Sequence, residues 1–116
     1  MKPDITDFLE DILKYSAMAR QVKETTSLAV LNSFSPESLA LSKALEVIGE
    51  AVKQIPETNR NNYPEIPWSQ IARLRDKLIH HYWNTEMTRL IDIVENYLPD
   101  LERVVKQILE DYNSEE

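Results

Sequence analysis

The chain has 116 residues, 13 basic against 20 acidic side chains for a formal charge of −7, and 42% hydrophobic residues, enough for one domain with a true core. It has no cysteine and one glycine, Gly49, which excludes a disulfide framework, thiolate metal ligation, a cysteine nucleophile and the multi-glycine phosphate loops of nucleotide-binding folds. No apolar run approaches the roughly 20 residues of a membrane span, so a cytoplasmic protein without membrane contact is expected.

The lack of Asn-Gly, Asp-Gly or Gly-Gly pairs argues against tight hairpins and leaves helices. Pro3 suits a first helical position, and Ile5, Phe8, Leu9, Ile12, Leu13, Ala19 and Val22 follow at helical spacing, which predicts a first helix from about Pro3 to Glu24. Thr25 to Phe34 is apolar without clear period and is compatible with a short helix. Ser35-Pro36 is a start signal, and Leu39, Leu45, Ile48, Val52 and Ile55 mark a second helix that Pro56 stops. Glu57 to Pro67 holds two prolines and three asparagines without helical period and is expected to be a loop. Trp68 opens a third helix carrying Ile71, Leu74, Leu78 and Ile79 towards Trp83. Asn84 or Thr85 caps a fourth, with Leu90, Ile91, Val94, Leu98, Leu101, Val105, Ile108 and Leu109 facing inward and a kink or break at Pro99. The expected fold is all-α, a four- to five-helix up-and-down bundle spanning residues 1–113, with 114–116 a frayed C-terminal tail.

The acidic total opposes indiscriminate binding to nucleic acid. Between Thr58 and Trp83, however, four cations (Arg60, Arg73, Arg75, Lys77) face two acids (Glu65, Asp76), together with both histidines and four of the nine aromatic residues. On a helical wheel at about 100° per residue, Arg75 falls inside the apolar stripe of the third helix. A guanidinium there must be ion-paired, snorkel, or line a cleft. Asp76 and His80 are four apart on the polar face, where a carboxylate can reach one imidazole nitrogen and raise its basicity. Adjacent histidines on a helix point about 100° apart, so His80-His81 is not expected to bind a metal.

These residue types suit attack of a ribose 2′-hydroxyl on the adjacent phosphodiester. That reaction needs groups to take and give protons and positive charge to stabilise the phosphorane. An imidazole serves either proton transfer, and arginine offers a planar charged fork to phosphate oxygens; no cofactor is required. On an ideal helix His80 lies about 140° round and about 7.5 Å along from Arg75, so one copy does not bring both to one phosphate. Either the helix ends or unwinds near His80, or a two-fold dimer completes the site.

The run Arg75-Asp76-Lys77-Leu78-Ile79-His80-His81-Tyr82 resembles the Arg, four residues, His, any residue, Tyr signature of the HepT-like toxins of the HEPN superfamily. Ala44-Leu45-Glu46-Val47-Ile48-Gly49-Glu50-Ala51 is similar to that family's preceding helix, and Ile66-Pro67-Trp68 to the opening of its motif helix. Leu28 to Leu41 departs from the pattern, lacking the charged residues expected there. The resemblance implies a dimeric, HEPN-like, metal-independent endoribonuclease, the toxin of a type VII-like toxin–antitoxin pair. It implies Arg75 and His80 as catalytic residues and Asp76 as their polar support. It further implies a minimal nucleotidyltransferase antitoxin of the MntA type that attaches AMP to Tyr82. Arg73, Lys77 and His81 are candidate contacts to the RNA, which would be tRNA or mRNA. The competing reading is a non-catalytic helical subunit that dimerises and presents substrate to a nucleotidyltransferase.

Overall fold

A computed structural model of the chain describes residues 4–81 and 87–114, with the backbone alone at 80 and 81. Every regular element among the described residues is a helix: α1 (Thr6–Thr25), α2 (Leu28–Leu31), α3 (Pro36–Lys53), α4 (Glu57–Asn61), α5 (Trp68–His81), α6 (Met87–Asn96) and α7 (Leu98–Ser114). None of these helices is long and apolar enough to cross a membrane.

The helix boundaries follow local hydrogen-bonding chemistry. Ahead of α1, the Asp4 carboxylate accepts the Thr6 amide at 3.0 Å. The helix therefore begins at Thr6, later than expected, and Pro3 lies outside the described residues. The ambiguous stretch after α1 forms the single turn α2, whose first amides are met by the Ser27 hydroxyl, which accepts from Val30 at 3.3 Å. Ser35 and Ser38 form a reciprocal capping box at the start of α3, each hydroxyl accepting the other's amide at 3.1 Å. Pro36 occupies the first turn, where its missing donor costs nothing.

One expectation is corrected, and another is placed more closely. Glu57 to Asn61 is a short helix rather than loop: Pro56 presets the backbone before it, and the Asn59 and Arg60 amides close onto the Pro56 carbonyl at 3.0 and 3.1 Å. It buries no residue, so no apolar period announced it. The break expected at Pro99 lies two residues ahead of it, at Tyr97, where α6 and α7 meet, and Pro99 itself falls in the first turn of α7, where no helical acceptor loses a partner. The predicted caps Asn84 and Thr85, and the helix end at Trp83, lie outside the described residues. Residue 114 belongs to α7, so the helix runs one residue past the predicted domain end.

The core is one cluster. Leu9, Ile12 and Ala19 of α1 meet Leu41, Leu45, Ile48 and Val52 of α3, Ile71, Leu74 and Leu78 of α5, and Leu98, Leu101, Val105 and Ile108 of α7. Helix α3 packs against both α1 and α5, and α1 packs against both α3 and α7. Leu39, placed in the apolar period of α3, is instead exposed, and Leu41 takes the inward position. Ile79 on α5 is also largely exposed, at 40%, although the wheel placed it within the apolar stripe.

Candidate functional site

The α3–α5 seam is set by Gly49. A Cβ built there would lie 2.9 Å from the Arg75 amide nitrogen, 2.9 Å from the Ile71 carbonyl oxygen and 3.3 Å from the Arg75 Cβ. The two backbones are therefore nearly in contact, and only a residue without a side chain fits between them. An interior glycine weakens a helix by about 1 kcal/mol relative to alanine, which this close approach offsets by bringing the α5 backbone against α3.

That approach places Arg75 beside the next residue of α3. Its Nε forms an ion pair with Glu50 Oε2 at 3.2 Å, and its Nη1 donates to Asp76 Oδ1 at 3.1 Å. Asp76 in turn accepts from the Lys53 ammonium at 3.2 and 3.3 Å through its two oxygens. The other oxygen of Glu50 accepts from Gln54 at 3.5 Å. Gln54, Glu50, Arg75, Asp76 and Lys53 thus form a chain of alternating polarity along the seam. The hydrogen bonds from Lys53 and then Arg75 hold the Asp76 carboxyl below its ordinary 3.8, because they favour the ionised form.

Of the three fates open to Arg75, ion pairing is the one adopted, yet its side chain stays 39% exposed. It sits at the edge of the apolar face, with Ile71, Leu74 and Leu78 buried on one side and solvent on the other. Both Asp76 oxygens are engaged by cations of α3 and α5, and the anticipated reach of Asp76 towards His80 falls on a side chain outside the described residues. Asp76 thus accepts from both Arg75 and Lys53. The backbone at His80 continues α5 without a break through His81, so the helix does not unwind to swing residue 80 towards Arg75. The side chains of His80 and His81, and Tyr82 as a whole, lie outside the described residues.

Arg73 and Lys77 are exposed, with no ion pair among the described residues. They fall about 160° and about 200° round the helix from Arg75, on the side of α5 turned away from the seam. Among the described residues no group of three or more His, Asp or Glu is placed to hold a metal ion.

Glu50, Lys53 and the packing role of Gly49 escaped sequence reasoning. The signal was a lone glycine inside a strong helical pattern, which demands a packing reason. Glu50 and Lys53 flank it at a spacing that puts both on one side of α3, but nothing local in the sequence names α5 as the neighbour.

A family model described as Ribonuclease HepT-like matches residues 3–108. Among curated relatives, "Putative RNase MJ0127" of Methanocaldococcus jannaschii is 38% identical over 118 residues, covering 99% of this chain and 95% of that protein. "Probable ribonuclease HepT" of Thermococcus cleftensis is 36% identical over 101 residues, covering 87% of this chain and 92% of that protein. "Putative RNase TTE0752" of Caldanaerobacter subterraneus is 41% identical over 71 residues, 61% of this chain and 63% of that protein. No solved structure matches the chain at the same stringency.

Proposed function

The chain belongs to the ribonuclease HepT-like family, and from that premise we propose that it is a metal-independent endoribonuclease acting as the toxin of a toxin–antitoxin pair. The observation that carries this reading is Arg75: a guanidinium tethered at an exposed seam, five residues before a histidine on the same helix. The ribose 2′-hydroxyl attacks the adjacent phosphorus, His80 transfers the proton, and the spare donors of Arg75 stabilise the charge that develops on the phosphorane oxygens. The leaving 5′-oxygen takes a proton, and the products are a 2′,3′-cyclic phosphate and a 5′-hydroxyl end.

A homodimer completes the site in this proposal. With α5 helical through His81, Arg75 and His80 of one copy diverge by about 140°, which favours a cleft shared between two α5 helices. The exposed Ile79, one turn from Arg75, supplies apolar surface for that contact. A minimal nucleotidyltransferase antitoxin would attach AMP to Tyr82, adding bulk and negative charge where RNA phosphate must enter.

Purified protein is incubated with total tRNA and with mRNA in EDTA. Cleavage to cyclic-phosphate ends is expected, and His80→Ala and Arg75→Ala should each lower the rate by roughly 10²–10⁴-fold without loss of helicity. Unchanged cutting by His80→Ala would remove it from the mechanism. Incubation with a minimal nucleotidyltransferase and ATP should add AMP mass to the wild type and not to Tyr82→Phe. The pairing of Arg75 with two carboxylates favours one second reading, a non-catalytic subunit in which Arg75 only joins helices; intact RNA in every assay would select it.

A further inference from the structure

Arginine recognises phosphate best when two parallel N–H groups of one edge are held in fixed orientation. A free arginine side chain at the surface samples many rotamers, and orientation is the part of binding that raises turnover. In this fold the Arg75 guanidinium is tied to α3 twice. Glu50 pairs with Nε directly at 3.2 Å. Asp76 takes Nη1 at 3.1 Å and is itself held by Lys53 of α3 at 3.2 Å. Those two contacts leave both hydrogens of Nη2 and one of Nη1 without a partner among the described residues, so donors of the fork remain for a phosphate. The Glu50 side chain is 48% exposed and that of Arg75 39%, and an ion pair this wet adds little to stability. The consequence of the pair lies in orientation.

We propose that Glu50 is the positioning residue for Arg75: seated on α3 next to Gly49, its carboxylate fixes the guanidinium by Nε and presents the terminal edge to the scissile phosphate. The proposal rests on the ribonuclease reading for its effect on turnover and deepens it by adding a residue of α3 to a site otherwise carried by α5. Glu50 also places negative charge next to the arginine, so it opposes phosphate affinity while improving alignment. Charge removal with retention of shape therefore separates two kinetic parameters in opposite directions. In Glu50→Gln, kcat for RNA cleavage should fall roughly tenfold or more while KM stays level or falls. Glu50→Asp should recover part of kcat. A merely structural link would instead alter the fold and leave kcat of the folded fraction alone.

The test combines steady-state cleavage by wild type, Glu50→Gln and Glu50→Asp with the ¹⁵N spectrum of arginine Nε–H groups, the Arg75 peak being identified by its loss in Arg75→Lys. A wild-type Arg75 peak resolved from those of solvated arginines, merging with them in Glu50→Gln, together with the kcat loss, supports the proposal. Unchanged kcat in Glu50→Gln, or an Arg75 peak already at the solvated position in wild type, overturns it. If the wild type leaves RNA intact, the ribonuclease reading falls separately. The spectrum then decides alone: a peak that merges on substitution upholds Glu50 as the group holding Arg75, and one that does not overturns it.

Discussion

Gly49 and Arg75 bring the backbones of α3 and α5 into close approach, the space for a Cβ on Gly49 being 2.9 Å from the Arg75 amide nitrogen. Because the obstructing atoms are backbone, they cannot swing aside as the end of a long side chain would. Gly49→Ala should gain about 1 kcal/mol of helix propensity and lose more from forcing α3 and α5 apart, a net cost on the order of 1–3 kcal/mol. A thermal melt checks this, and a variant as stable as the parent would show that the helices are free to separate.

The link between Arg20 on α1 and Glu102 on α7 should matter more than its neighbour. Arg20 Nε donates to Glu102 Oε1 at 3.0 Å, and the glutamate side chain is only 12% exposed. Arg20→Ala leaves that carboxylate largely buried without its partner and should cost about 1–3 kcal/mol. Lys23→Ala breaks the open Lys23–Glu95 pair, at 2.7 Å, and should cost about 0–1 kcal/mol. Denaturant titration of the two variants gives the ranking; equal losses would contradict it.

Two buried hydroxyls have no hydrogen-bond partner among the described residues, those of Ser16 in α1 and Ser42 in α3. Alanine at either position removes an unmet polar group and improves helix propensity. Ser16→Ala and Ser42→Ala should each raise stability by about 0.5–1.5 kcal/mol. Loss of stability in either would mean that its hydroxyl has a partner in solution.

Asp76 gives the seam an acid-side pH dependence. Its carboxyl is depressed below the ordinary 3.8 by hydrogen bonds from Lys53 and then Arg75, so its contribution is fully present above the unfolded value. It is lost as pH falls through the lower folded value. Asp4, depressed by the Thr6 amide, adds in the same direction. Stability measured against pH should therefore fall more steeply below 3.8 in the parent than in Asp76→Asn. Parallel curves would show that the Lys53 and Arg75 contacts are absent in solution.

The helical class and the long elements were legible because their signals are local. Ser35-Pro36 announced the capping box, and the apolar period over Ile71, Leu74 and Leu78 marked the buried face of α5. What escaped depends on neighbours distant in sequence. The short α4 rests on backbone geometry after Pro56 and buries nothing, so it leaves no periodic trace. The wheel put Arg75 inside the apolar stripe, and the structure puts it at that stripe's edge, 39% exposed. The wheel could not show that Glu50 and Lys53 of another helix engage Arg75 and Asp76. Ile79 shows the same limit: apolar spacing predicts a face, while the width of the neighbouring helix decides which edge of that face is covered.

The Arg20–Glu102 bond spans 82 positions of sequence and joins the earliest long helix to the latest. During synthesis α1 therefore emerges with one flank bare and waits for α7 before its packing can close, which makes the domain a late-maturing one by its topology. A nascent chain stalled before α7 would lack the surface that α1 needs, so the packed scaffold would arise only once translation has carried the polypeptide past α7.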